Sequence, residues 1–493
     1  MNEENEISPS NAPSPSGLST KGRLGFLFRD SALYGGAAAV SRLATLITFP
    51  LLARHLSTSD YGIFDTLQVL GAFLTILFIF GQDSAVSRFF YEYETTEARK
   101  QVIAQSLAFR GVLIVIFVPL LWTVGPAAIR HFGYDGETVF AFRILVLQVP
   151  CMVIIELAVT LLRLTFRRWH FVTFSLAFSF VQAAFVVCAI LVFNAGIGQL
   201  MIANFAAALI FALIALLLTR DWLTRPSDAH YLREMLPYAA PYGLISASRA
   251  VGPLAERALV AALIGTEALG LYAAGAKIAM LFSLFAFAFQ TAWNPFALAV
   301  FKKSDAAETY NAVLKSFTLA VCLASFTLLI LAEPLLVLLA SEAYRSGVVV
   351  IFPLVLALAI EAVGWVTEIG VVLAKRSGLK LVAYILAFCV TILAILILAP
   401  TFGISGCAWA VVLGSVTKTA FVTLFAQRAY PLPWVWSPIY VLLPSTMVLG
   451  VLALALDAVW PVMLGFAILP VLSYLFVFDH GDRVLLAGLV RRL

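Results

Sequence analysis

The chain has 493 residues, 62% of them hydrophobic and 12% charged, with a net charge of +5 and a mean hydropathy of +0.99. Soluble domains carry about 25% charged residues, so this composition excludes a soluble globular protein and indicates an all-α polytopic membrane protein. The positive balance reads as topology rather than as nucleic-acid binding, because no basic stripe interleaved with exposed aromatics occurs.

Residues 1–22, beginning MNEENEISPSNAPSPSGLST, are polar and rich in Ser, Pro and Asn, the composition of a disordered cytoplasmic tail. Lys21, Arg23 and Arg29 lead from it into a full-length apolar span. With no short apolar region near the start and no small-residue cleavage site, this reads as an uncleaved first helix.

Breaking the remaining sequence at charged or Gly/Pro-rich positions gives about fourteen spans long enough for a hydrocarbon core of roughly 30 Å. They fall at 29–53, 62–87, 102–124, 138–162, 171–193, 197–219 and 237–263, then at 269–299, 312–331, 347–373, 380–399, 404–426, 435–456 and 459–478. Lys and Arg crowd the connections on one side, from Arg88 to Arg110, Arg163 to Arg168, Arg220 to Arg233, Lys302 to Lys315 and Lys375 to Lys380. The opposite connections hold only Arg54, Arg130 and Arg345. This imbalance places both termini in the cytoplasm and predicts an even number of crossings.

The longest connection, TRDWLTRPSDAHYLREMLP at 219–237, separates two halves that resemble each other. LLARHLSTSDYGIF at 51–64 aligns with LVAALIGTEALGLY at 259–272, bringing Gln82 against Gln290, and GIGQLMIA at 196–203 aligns with GISGCAWA at 403–410 at nearly the same offset. The recurrence predicts a duplicated six-helix unit whose pseudo-twofold axis runs along the membrane normal. The expected organisation is a tail at 1–22, a six-helix bundle at 23–219, a cytoplasmic linker at 220–236, a second bundle at 237–428, and two further transmembrane helices with a tail at 429–493.

Charges inside the spans are costly, roughly 2.5 to 3.5 kcal/mol each at the centre of a membrane helix. Arg249, Glu256 and Arg257 share one face of the seventh span, Arg42 occupies the corresponding depth in the first, and Lys277 lies in the eighth. The four cations are expected to converge on a cavity that takes an anion, since guanidinium groups donate paired hydrogen bonds to phosphate oxygens. Asp83, Glu156, Glu361 and Glu368 form a set of carboxylates that could pair with cations, bind a coupling cation or carry protons, with Glu256 a candidate partner for Lys277. Asp65, Arg143 and Lys418 read instead as internal pairs or snorkelling groups. Pro253 removes a backbone donor and is expected to loosen or kink the seventh span. Cys151, Cys188, Cys322, Cys389 and Cys407 lack CxxC spacing, and the histidines form no HxxxH pair, so neither a metal site nor a cofactor is expected.

TFPLLARHLSTSDYGIFDTLQVLGAF at 48–73 and LGLYAAGAKIAMLFSLFAFAFQTAWNPFAL at 269–298, with its pattern from Gln290 to Phe296, resemble the bacterial polysaccharide flippases of the Wzx type. These belong to the multidrug/oligosaccharidyl-lipid/polysaccharide exporter superfamily. The resemblance implies a non-enzymatic carrier in the bacterial inner membrane that moves polyprenyl-diphosphate-linked oligosaccharide units outward by alternating access. It further implies proton or sodium coupling, and polysaccharide polymerase or assembly proteins as partners. The cations would hold the diphosphate, Gln290, Trp293 and Asn294 would meet sugar, and the prenyl tail would stay among membrane lipids. Two alternatives stand beside it: a cation-coupled multidrug exporter of the same superfamily, and an integral-membrane polysaccharide polymerase or glycosyltransferase. The short, almost uncharged outer connections argue against the enzyme.

Overall fold

The computed structural model describes residues 36, 40–41, 46–227, 229–301, 303–374, 376 and 378–478. A helical segment at 46–55 (α1) is followed by α2 (Thr58–Ile79), α3 (Gln82–Glu92), α4 (Thr96–His131), α5 (Gly136–Leu164), α6 (Arg168–Phe193) and α7 (Ile197–Thr219). Then come α8 (His230–Leu263), α9 (Thr266–Val300), α10 (Ala306–Leu339), α11 (Ile351–Thr367), α12 (Ile369–Leu373), α13 (Gly378–Ala429), α14 (Leu443–Leu456) and α15 (Trp460–Leu472). Among the described residues there is no strand, and 11 helical stretches are long and apolar enough to cross a bilayer. The protein is an all-α polytopic membrane protein.

The count differs from fourteen for physical reasons. Most of the first span lies outside the described residues, and α8 has the length but carries Arg249, Glu256 and Arg257 in its apolar half. The spans expected at 380–399 and 404–426 are two helices that follow one another directly across a kink within α13, with Pro400 just before it and Gly403 at φ 58. Only glycine takes that backbone cheaply, so the chain changes direction there without leaving a connection. Conversely, the span expected at 62–87 is interrupted where Phe80 (φ 46) and Gly81 (φ 72) separate α2 from α3. Helix starts follow their caps: Thr95 accepts from the Ala98 N–H at the head of α4, and Asp135 from the Thr138 N–H at the head of α5.

The chain divides into two packing units that are not contiguous in sequence. The first holds the described residues up to Thr48 together with Gly71–Ser246; the second holds Phe49–Leu70 and the described residues from Ala247 onward. Helices α2 and α8 therefore each run from one unit into the other.

In the first unit, α5 packs along α7, and α6 closes over both through Cys151, Ile155, Ala158, Phe171, Phe174, Ala208 and Phe211. A second cluster joins α3, α4 and α5 to the start of α8 through Val86, Phe90, Ile103, Leu157, Leu161, Met235 and Ala239. Gly81 makes the approach of α8 feasible, because a Cβ there would meet the Ala239 carbonyl at 2.2 Å. The region expected as the cytoplasmic linker is hydrogen-bonded to α4. Gln101 donates to the Arg225 carbonyl and accepts from the Ser227 N–H, Gln105 accepts from the Leu232 N–H, and α8 begins at His230, before the expected start at 237.

In the second unit, α11 is the enclosed helix, packed against α9, α10 and α13. The N-terminal part of α2 crosses α9 at paired glycines, where a Cβ on Gly62 would lie 2.5 Å from the Gly270 nitrogen. Helices α14 and α15 pack on α10 through Cys322, Phe326, Leu442, Ala453, Val462 and Leu469.

Candidate functional site

The second unit contains a cavity of about 400 Å³ lined by α8, α9, α11 and α13, within the size range of small-molecule and headgroup sites. On α8 the lining positions are Ser248, Arg249, Gly252, Pro253, Glu256 and Arg257, a spacing that puts them on one face. Gly252 keeps that face low: a Cβ there would have only Glu256 Oε1 within 4 Å, at 3.9 Å. Helix α8 is continuous through Pro253. The proline leaves the Arg249 carbonyl without the donor that residue i+4 ordinarily supplies, and its own carbonyl accepts from Arg257 Nη1 at 3.1 Å.

The charges around the cavity are mostly paired. Arg257 Nε donates to Asp65 Oδ2 at 2.7 Å, with side-chain exposures of 11% and 8%. Lys418 Nζ lies 2.7 Å from Glu361 Oε2 and sits over the Tyr384 ring at 5.2 Å, while Ser415 Oγ donates to Glu361 Oε1 at 3.4 Å. Glu256 Oε2 accepts from the Tyr272 hydroxyl at 3.1 Å. Arg249 is exposed and, among the described residues, forms no ion pair and no side-chain hydrogen bond. It is a cation presented to the cavity with its charge uncommitted.

The remaining expected site residues go elsewhere. Lys277 lies 3.9 Å from Asp65 Oδ1 rather than beside Glu256, and it does not line the cavity. The pairing follows from α2 crossing α9 so closely that Asp65 takes both cations. Arg42 lies outside the described residues. Trp293, expected to meet sugar, is 2% exposed and donates Nε1 to the Trp365 carbonyl, with Tyr310 against its ring, so it is a core residue of the second unit. Gln290 is half-buried and absent from the lining, and Asn294 shares its helix, with the side chain outside the described part.

Among the carboxylates, Glu256 and Glu361 line the cavity, whereas Glu368 pairs with Lys380 at 2.9 Å away from it. Asp83 and Glu156 belong to the first unit. Asp83 Oδ1 accepts from Arg110 Nη2 at 2.6 Å, and Glu156 lies within electrostatic range of Asp83, Arg110 and Arg163 without an ion pair among the described residues. Arg110 was expected in a connection; it is fully buried inside α4, because that helix starts at Thr96 and carries its basic first turns into the packed bundle. Sequence reasoning also missed Tyr272, Tyr384, Thr391 and Ser415 in the lining. Only Lys418, a charge within an apolar span, gave a signal for that wall.

A family profile described as "Polysaccharide biosynthesis protein" matches residues 27–301. Among solved structures, the chain is similar to the lipid II flippase MurJ in an inward closed conformation, with 13% identity, 90% of this chain and 97% of that chain covered, and a TM-score of 0.71. It is also similar to an inward-facing multidrug resistance MATE family transporter of the MOP superfamily, with 15% identity, 79% and 97% covered, and a TM-score of 0.63. The bent form of the Vibrio cholerae MATE transporter VcmN gives 15% identity, 82% and 97% covered, and a TM-score of 0.57. No curated protein matches. The chain belongs to the polysaccharide biosynthesis protein family and has the fold of the MOP superfamily.

Proposed function

We propose that the protein is a flippase that carries a polyprenyl-diphosphate-linked oligosaccharide from the cytoplasmic to the periplasmic leaflet of a bacterial inner membrane, with both termini cytoplasmic. The observation that carries this reading is Arg249, a guanidinium without an ion pair among the described residues, on the wall of a cavity inside a membrane-spanning unit. An uncompensated charge there is costly unless an anion meets it, and diphosphate oxygens match the guanidinium fork. The family's connection to polysaccharide biosynthesis and the fold shared with a lipid II flippase support the same substrate class. Alternating access would require the two units to move relative to each other, and α2 and α8, which each belong to both, would transmit that motion. A coupling proton or sodium ion would find carboxylates in either unit, Glu256 and Glu361 in the second or Asp83 and Glu156 in the first.

Binding tests the reading. A polyprenyl-diphosphate oligosaccharide titrated into the protein in nanodiscs should bind about 10-fold to 100-fold more weakly to Arg249→Ala, and Arg249→Lys should restore part of the loss. Equal affinity in all three proteins would overturn the anion site.

One observation favours a second reading, an exporter of cationic small molecules. Glu256 faces the cavity and forms no ion pair among the described residues. That reading predicts that tetraphenylphosphonium binding rises in Arg249→Ala and disappears in Glu256→Gln.

A further inference from the structure

The cavity has a chemically distinct part beyond Arg249. Glu256 follows Arg249 by two turns of α8, about 10 Å along the axis at 1.5 Å per residue, and only one of its carboxylate oxygens is engaged, by Tyr272. Across from α8, α13 presents Tyr384 and Phe388 one turn apart, followed by Thr391, whose hydroxyl has no hydrogen-bond partner among the described residues. This wall combines two aromatic rings, an uncommitted hydroxyl and a carboxylate with a free oxygen. An anion has no use for the rings or the carboxylate. A lipid chain has no use for the hydroxyl or the carboxylate. A pyranose uses all of them, because its C–H face lies against an aromatic ring while its hydroxyls donate to carboxylate oxygens and exchange hydrogen bonds with threonine.

We infer that this region, from Tyr384, Phe388 and Thr391 across to Glu256, is a saccharide subsite that reads the sugar next to the diphosphate. The inference rests on the proposed flippase reading, with the diphosphate held at Arg249. It assigns sugar contact to α13 and α8, not to Gln290 and Trp293 on α9. Gly252 gives the subsite its depth. At Gly252 the floor has no side chain, and a Cβ there would meet nothing closer than 3.9 Å. A neutral hexose with free hydroxyls fits this lining better than a uronic acid, whose carboxylate would face Glu256 and Glu361.

The test uses the full chain in proteoliposomes with two probes, a fluorescent polyprenyl diphosphate bearing one hexose and the same lipid without sugar. The readout is the ratio of their leaflet-exchange rates. Tyr384→Ala and Gly252→Leu should each lower the hexose-to-bare ratio about tenfold. Tyr384→Phe, which keeps the ring, should lower it less than Tyr384→Ala. Leu217→Ala, at an exposed position of α7 in the first unit, serves as the control and should keep the ratio of the unmodified protein. A ratio unchanged in both Tyr384→Ala and Gly252→Leu, with exchange by the unmodified protein intact, would overturn the subsite and leave the flippase reading standing. If the unmodified protein moves neither lipid, both proposals fall.

Discussion

Arg257 and Asp65 form a buried ion pair at 2.7 Å that joins α8 to the N-terminal part of α2 within the second unit. The pair answers how α8 tolerates a charge beside its cavity. One guanidinium is neutralised by a carboxylate from another helix, and the Pro253 carbonyl oxygen accepts a second hydrogen bond from it. With Arg257 so occupied, Arg249 is left to face the cavity alone.

Breaking that pair should be expensive. Asp65→Ala leaves a buried guanidinium unpaired and should cost about 3 to 5 kcal/mol, read as a fall in the unfolding midpoint in detergent. Lys277, at 3.9 Å from the same carboxylate, adds to the loss. The double variant Asp65→Ala, Arg257→Met should be less destabilised than the sum of the single changes, as a double-mutant cycle would reveal.

Arg110 and Asp83 make the corresponding experiment in the first unit asymmetric. Arg110 is fully buried and Asp83 is about one-third exposed. Asp83→Ala strands a fully buried cation, whereas Arg110→Met leaves a carboxylate that is only partly buried. Unfolding measurements should find Asp83→Ala the more damaging of the two, by about 1 to 2 kcal/mol; the reverse order would contradict the burial of Arg110.

Two glycines should separate by their surroundings. A Cβ on Gly270 would lie 1.8 Å from the Thr58 carbonyl oxygen, so Gly270→Ala must push α2 away from α9. Gly252→Ala meets open space and, in the interior of α8, removes glycine's backbone entropy cost of roughly 0.5 to 1 kcal/mol. Thermal melts should show the first variant strongly destabilised and the second unchanged or slightly raised.

Asp135 caps α5 at its head, accepting from Thr138 Oγ1 at 2.7 Å and the Thr138 N–H at 2.8 Å. These hydrogen bonds, the hydroxyl's first, hold its carboxyl below the ordinary aspartate range. A depressed carboxyl contributes stability that is present above the unfolded aspartate value and is lost as pH falls through the folded one. Asp135→Ala should cost about 1 kcal/mol at neutral pH, and the gap between variant and unmodified protein should close below about pH 4.

Much of the fold was legible because hydrocarbon thickness and apolar run length constrain each other: α4 to α7 fall near the expected spans. The breaks were less legible. The break expected between 399 and 404 falls at the kink at Gly403, whereas the one at Phe80 and Gly81 was missed inside the span expected at 62–87. Charge within a span drew attention to α8, whose Arg249, Glu256 and Arg257 line the cavity. Helical spacing could not say which cation would meet which carboxylate, because that depends on how α2 crosses α9. Nor could it distinguish Trp293, packed in the core, from Tyr384, facing the cavity, since aromatic residues in apolar helices look alike until their neighbours are known.

The most direct measurement is leaflet exchange of a fluorescent polyprenyl-diphosphate oligosaccharide in proteoliposomes containing either the unmodified protein or Arg249→Ala. The account predicts rapid exchange with the first, and a rate at least about tenfold slower with the second, a rise of roughly 1.4 kcal/mol or more in the exchange barrier, with Arg249→Lys between them. Exchange at the unmodified rate in Arg249→Ala would contradict the claim that this cavity holds the diphosphate.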